Sequence, residues 1–272
     1  MFDKNPSSAL VSCLMVTKGT PERLPGLSTA IACFKRQTYS PLELVIVTDT
    51  KDPDAPYRVE ALVNSIDAPS VRTISGKDGM TLGALRNLSM RLSAGAFLCQ
   101  WDDDDLHHPQ RVADQVASLT NGDAKAVLLE DVLQYYPMTQ QLWWINWRAT
   151  EPRGHPGTLL CKRDCGISYP ESGEHSCRGE DSAVARQLIA AGALATLRDK
   201  PYLYVYVSHG RNTYEIEHHQ MLSTRLGVSR GRIARHEGQL RSQLAAFGPL
   251  LNGVHIVAPN ADGPIFQVSA PD

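Results

Sequence analysis

The chain has 272 residues and a formal charge of −2, so its bulk balance offers no case for nucleic acid or for an anionic membrane surface as partner. Its 42% hydrophobic and 21% charged residues suit one large α/β domain with at most a small appendage. No apolar stretch approaches the roughly 18 residues that a transmembrane helix needs, and Met1-Phe2-Asp3-Lys4-Asn5-Pro6 lacks signal-peptide layout, so a cytoplasmic location is expected.

In chain order, Leu10 to Thr17 reads as an apolar strand, Gly26 to Gln37 as a helix, and Glu43 to Thr48 as a second strand ending at Asp49. Val71 to Ile74 is a short third strand. Thr81 to Ala94 has Leu85, Leu88 and Leu92 at helical spacing before Gly95, and Ala96 to Trp101 is a fourth strand. Pro109 to Leu119 is a further helix. Continuous apolar strands separated by helices predict a mostly parallel sheet covered on both faces, with its ligands at the carboxyl ends of the strands. Ala126 to Tyr136, Gln141 to Ala149 and Thr158 to Arg163 then read as antiparallel-style strands. In the second of these, Trp143, Ile145 and Trp147 share one face and Trp144 the other. Such a stripe reads first as core, with Trp144 or Trp147 as an alternative sugar-binding wall. A loop over 166–179, a helix from Glu180 to Ala191 and a Tyr/Val strand from Pro201 to Ser208 follow. Beyond His219 come basic helices with Arg225, Arg230, Arg232, Arg235 and Arg241, then a Pro/Gly-punctuated tail. Six scattered cysteines read as reduced thiols, and Cys161, Cys165, His175 and Cys177 match no standard zinc spacing.

Three constellations carry chemistry. Asp102-Asp103-Asp104-Asp105 leave the fourth strand together, with Pro109 beyond. Unit charges about 4 Å apart repel by about 1 kcal/mol in water and several times more in a partly buried cleft. A solvated acidic loop would relieve that repulsion, but the buried strand before the run argues for a compensating cation. Mg²⁺ or Mn²⁺ suits a carboxylate cluster and commonly holds a substrate phosphate as well. Alternation puts Asp102 and Asp104 on one side of the turn and Asp103 on the other. The second constellation is Gly179-Glu180-Asp181, two carboxylates at a helix start, of which one suffices for capping and the other is free to act as a general base. The third is Ser208-His209-Gly210-Arg211 after a strand, where His209 is a candidate metal ligand and Arg211 a candidate diphosphate contact.

Six segments carry a family resemblance. The opening strand Leu10 to Thr17, Gln37-Thr38-Tyr39 at a helix end, Glu43 to Asp49, Gly83 with Arg86-Asn87, the aspartate cluster with Pro109, and Glu180-Asp181 occur in the order found in the inverting family-2 glycosyltransferases. The chain resembles that family from about residue 10 to residue 213. It departs from it at Thr48, where an aspartate is usual, at Lys51, near the usual serine, and at Lys18-Gly19, in place of Tyr-Asn. The Gln-x-x-Arg-Trp element of processive synthases is absent. The resemblance implies the GT-A fold, with a mostly parallel central sheet plus a smaller antiparallel sheet on the acceptor side. It implies a glycosyltransferase domain over 1–219, divided into a nucleotide half at about 8–120 and an acceptor half at 121–219, and then a helical extension over 220–272. The implied reaction moves one sugar from a nucleotide-diphosphate donor to a saccharide, lipid-linked or other hydroxyl acceptor. Mn²⁺ or Mg²⁺ would sit on Asp104, Asp102 and His209, and Asp181, beside Glu180, would be the base. Asp49 would bind the nucleobase and Thr17 would lie beside the nucleoside. Arg86, Asp102, Asp103 and Arg211 would serve the donor's phosphate and sugar region. The 166–179 loop and the tryptophan strand would shape the acceptor side. The basic C-terminal helices read first as a solvated face, with the inner membrane face or a second copy of the chain as alternatives. A metal-dependent phosphohydrolase or a nucleotidyltransferase is the alternative reading. The first expects Thr or Val where Leu106 follows, and the second a Gly-rich basic loop that Lys18 to Arg23 only faintly resembles.

Overall fold

The computed structural model describes residues 9–269, so the amino-terminal segment Met1–Pro6 lies outside the described residues. The chain runs β1 (Val11–Thr17), α1 (Leu24–Lys35), β2 (Leu42–Thr48), α2 (Ala55–Ile66), β3 (Val71–Ser75), α3 (Leu82–Leu92) and β4 (Phe97–Gln100). It continues through β5 (Leu106–His107), α4 (Arg111–Thr120), β6 (Ala126–Leu129), β7 (Asp131–Tyr136), β8 (Gln141–Asn146) and β9 (His155–Lys162). The remainder is α5 (Glu180–Ala190), β10 (Leu194–Leu197), β11 (Tyr204–Val207), α6 (Ile216–Leu226), α7 (Arg230–Arg235), α8 (Glu237–Leu244), β12 (His255–Val257) and β13 (Phe266–Gln267).

The main sheet has the order β10-β6-β9-β4-β1-β2-β3, parallel throughout except for β9, which runs antiparallel to both β4 and β6. Strand parity divides its apolar side chains between two layers. Cys13, Met15, Leu44, Ile46 and Cys99 pack against α1, α2 and α4, whereas Leu14, Val45, Leu98 and Leu159 face the side covered by α5. The strand order reverses beside β1, so the chain leaves β1 and β4 in opposite directions and opens a crevice at their carboxyl ends.

A second sheet, β13-β12-β8-β7-β11-β5, is mixed rather than antiparallel, because β12 pairs parallel with β8 and β11 parallel with β7. The single strand expected over 126–136 is two strands in different sheets. The break falls at Glu130 and Asp131, both buried and both paired: Glu130 with Arg198 Nε at 2.9 Å, and Asp131 accepting the Trp144 indole N–H at 2.7 Å. Trp144 is therefore core and not a sugar platform, and Trp147 leaves the strand for a short 3₁₀ turn. α2 and β10 go beyond the expected elements. Pro56, Val59 and Val63 were the available signals for α2, with proline in its first turn and apolar residues one helical turn apart. The boundary expected at residue 219 lies inside α6, and the chain beyond it completes the second sheet. Leu226, Ile233, Leu240, Phe247, Leu251 and Ile256 share one core with Leu133 and Trp144. Arg232 pairs with Asp199 at 2.8 Å and lies over the Trp144 ring, whereas Arg225, Arg230 and Arg235 are exposed. Among the described residues no helix is long and apolar enough to cross a membrane.

The Gly-x-x-Arg-Asn segment has a packing origin. A Cβ on Gly83 would lie 1.9 Å from the Pro170 carbonyl oxygen, so only glycine lets the 169–171 segment lie against α3. Asn87 then clamps Tyr169 on both backbone groups, donating to its carbonyl and accepting from its N–H at 2.9 Å each. Gly83→Ala should cost about 3 kcal/mol or more by overpacking against backbone, read as a lower denaturation midpoint at unchanged slope.

Candidate active site

A cleft of about 710 Å³ opens at the carboxyl ends of β1, β2 and β4, large enough for a nucleotide-sized ligand. Thr17, Asp49, Arg86, Asp102, Asp103, Asp104, Glu180, Asp181 and Arg211 all line it. His209 reaches it through Asp104, its Nε2 lying 2.9 Å from Asp104 Oδ2. The tertiary structure thus brings the three sequence constellations to one place.

Within the cluster each carboxylate has its own partner. Asp102 Oδ1 takes a hydrogen bond from Arg86 Nη2 at 3.2 Å, and Gln100 Nε2 lies 3.3 Å from Oδ2. Asp103 accepts from the Thr17 hydroxyl at 2.5 Å and from Arg23 Nη1 at 2.9 Å. The same Arg23 nitrogen donates to Asp104 at 2.6 Å, and the other terminal nitrogen donates to the Arg211 carbonyl at 3.2 Å. Asp105 also lines the cleft but is almost fully buried, accepting from the Tyr204 hydroxyl and from the Val207 N–H. It ties the turn to β11 and belongs to the scaffold. Burial, then the Asp104 charge, pushes Asp103 up to about 7 despite Arg23 and Thr17. Burial would raise Asp104 too, but the His209 hydrogen bond and Arg23 outweigh it and hold that carboxyl below its usual range. Burial raises Asp102, with Arg86 opposing.

Two expectations change in detail. The Thr17 hydroxyl is committed to Asp103 and accepts from the Gly19 N–H at 3.1 Å, so the residue shapes the cleft floor. Arg86 spends its guanidinium on carboxylates, donating through Nε to Glu180 at 2.9 Å and through Nη2 to Asp102. Burial works against that charge, yet Asp102 and Glu180 outweigh it and keep Arg86 charged. Arg23 was not singled out in the sequence. Its signal was only its place in the loop after β1, since the carboxylates it neutralises lie about 80 residues away.

Gly179 adopts φ +73°, the left-handed conformation that turns the chain sharply into α5. Glu180 is buried against Arg86, whereas Asp181 is half-buried at the cleft and accepts the Ser182 N–H at 2.6 Å. Burial, then the Glu180 charge, raises Asp181 to about 6. Asp49 accepts the Lys51 N–H at 3.1 Å, and Lys51 Nζ stands 3.7 Å from its other oxygen. Arg211 presents its side chain at the exposed rim.

The donor chemistry of Asp102, Asp104 and His209 fits a divalent ion. Carboxylate oxygens suit Mg²⁺ and Mn²⁺, and an added imidazole nitrogen favours the transition ion. Among the described residues no three His, Cys, Asp or Glu side chains are gathered so as to hold a metal ion, and the Arg23 guanidinium bridges Asp103 and Asp104. All six cysteines are free.

The sequence model described as Glycosyl transferase family 2 matches residues 12–168, more than half of the chain. No curated protein sequence matches significantly. Among solved structures, mannosyltransferase PcManGT from Pyrobaculum calidifontis, in complex with GDP-Man and Mn²⁺, superposes with a TM-score of 0.56 at 17% identity, covering 90% of this chain and 68% of that one. S. aureus TarS 1-349 in complex with UDP-GlcNAc gives 0.55 at 13% identity, covering 89% and 71%. The same TarS fragment alone gives 0.52 at 14%, covering 87% and 79%. At such identities these structures establish the shared GT-A architecture.

Arg23→Gln should remove the cation shared by two largely buried carboxylates and destabilise the protein by about 2–3 kcal/mol. Part of that loss should return on adding Mn²⁺, as a melting temperature that rises more in the variant than in the parent.

Proposed function

The chain belongs to glycosyl transferase family 2, and from that membership we propose that it moves one sugar from a nucleotide-diphosphate donor to an acceptor hydroxyl with inversion at the anomeric carbon. The observation that carries this reading is the Arg86 bridge. One buried guanidinium holds Glu180 at 2.9 Å and Asp102 at 3.2 Å, so the helix start bearing Asp181 and the acidic turn face one cleft.

Asp181 is the base. Its carboxyl, raised to about 6, is ionised at neutral pH yet more basic than an ordinary aspartate, which suits it to take a proton as a hydroxyl attacks. Glu180, held by Arg86, is a positioning residue: it fixes the first turn of α5 and with it the direction of Asp181. Asp102, Asp104 and His209 would hold Mn²⁺ or Mg²⁺, which supplies Lewis-acid stabilisation to a diphosphate leaving group. Arg211, at the rim, would pair with the same diphosphate, and Arg23, which bridges Asp103 and Asp104, would stay on Asp103 when Asp104 takes the metal. Asp49 accepts from the nucleobase at the end of β2. With a single displacement, the protein's contribution is alignment and fixed charge.

The phosphohydrolase and nucleotidyltransferase alternatives gain nothing from this geometry, because neither needs a buried arginine tying a helix-start carboxylate to the acidic turn.

Three measurements test the assignment. Melting temperatures in a panel of nucleoside diphosphates with and without Mn²⁺ should rise for one base; at 100 times its dissociation constant such a ligand stabilises by about 2.7 kcal/mol. Asp181→Asn should lower turnover by about 10²–10⁴-fold while calorimetric donor affinity is retained; equal loss of donor affinity removes its role as base. Because Asp181 must be unprotonated to act, kcat/KM should climb about tenfold per pH unit up to about pH 6 and then level. A flat acid limb would contradict that role.

A further inference from the structure

We propose that the acceptor is an uncharged saccharide, seated against a wall of rings formed by Trp147, His155, Tyr206, His219, His218 and Tyr214. This rests on the transferase reading and names the substrate class of its open side. All six residues line the cleft and touch in sequence. Ring centroids are 5.3 Å apart for Trp147 and His155, 5.5 Å for His155 and Tyr206, and 5.0 Å for Tyr206 and His219. His219 and His218 follow at 5.7 Å, and His218 stacks on Tyr214 at 4.7 Å.

The wall spans the space where an acceptor must lie. At its inner end, a Cβ on Gly157 would be 3.1 Å from both Asp102 Oδ2 and the His155 ring, so His155 borders the acidic turn. At its outer end, a Cβ on Gly179 would be 3.5 Å from the Tyr214 hydroxyl, immediately before Glu180 and Asp181. A molecule resting on these rings lies between the leaving-group side and the base.

The chemistry of the wall selects the ligand. Aromatic faces are electron-rich and attract the weakly positive C–H edges of a pyranose. At its inner end the wall borders the carboxylates of the acidic turn, which repel an anionic acceptor. Arg178 lies over the Tyr214 ring at 4.0 Å, and Arg211, assigned above to the diphosphate, lines the same cleft at its rim. Two polar atoms here are buried without hydrogen-bond partners, the Trp147 indole N–H and His155 Nδ1. Buried polar groups almost always have a partner. Both atoms are closed to solvent as the rings stand, so a sugar hydroxyl, which both donates and accepts, would pair with them only once the rings shift.

The test uses the full-length protein with Mn²⁺ and whichever nucleoside diphosphate stabilises it. Methyl glycosides of glucose, galactose, mannose and N-acetylglucosamine, with lactose and cellobiose, are compared with the matching sugar 1-phosphates and an alkyl phosphate by saturation-transfer difference NMR and calorimetry. At least one uncharged sugar should bind through its ring C–H protons. Trp147→Ala and Tyr206→Ala should each weaken it by about tenfold with nucleotide affinity unchanged. Trp147→Phe, which keeps a ring but loses the N–H, should lose less and guards against a misfolded alanine variant. Preference for the phosphorylated sugars or the alkyl phosphate, binding by none of the uncharged sugars, or full affinity in folded Trp147→Ala would each overturn the proposal. Sugar binding that persists when no nucleotide binds would support the wall and sink the donor reading instead.

Discussion

Four adjacent carboxylates in one partly buried turn are the constraint around which this molecule is organised. Their mutual repulsion grows several-fold on leaving water, so the turn can exist only where other elements deliver compensating groups. α3 supplies Arg86, β1 supplies Thr17, the loop after β1 supplies Arg23, and β11 with the loop beyond it supplies Tyr204, the Val207 N–H and His209. Segments far apart in the chain are thereby fastened to one point, which is also where the parallel strands reverse order and leave a crevice.

The same constraint links scaffold to chemistry. Asp105, which also lines the cleft, spends both oxygens on β11, whereas Asp102, Asp103 and Asp104 pair with Arg86, Arg23, Thr17 and His209. Arg86 extends the network across the cleft to Glu180, so any movement of the acidic turn is felt at the first turn of α5, where Asp181 sits.

The second sheet contributes the cleft's remaining wall. Its strands are tied together by a core that runs into the last helices and strands of the chain, so the C-terminal segment supports the rings that face the open side. Tyr206 belongs to β11, His218 and His219 to α6, and Trp147 to the turn after β8. Their alignment depends on the packing of all three elements.

Much of the fold was legible in the chain because its physical signals are local. Continuous apolar runs marked β1, β2 and β4, helical spacing of leucines marked α3, and the charge run and Gly179-Glu180-Asp181 announced themselves as adjacent residues. The strand switch at Glu130-Asp131 escaped because an acidic pair inside an apolar run has no meaning until Arg198 and the Trp144 indole are brought to it. Arg23 was invisible for the same reason, and Trp144 and Trp147, equal candidates for a sugar-binding wall in the sequence, separated once β8 ended at Asn146: Trp144 is core and Trp147 lines the cleft. Periodicity records which face a side chain takes within its own element. Which distant charge or ring stands opposite is decided only when sheets and helices pack, because burial and Coulomb energy depend on separations in space, not along the chain.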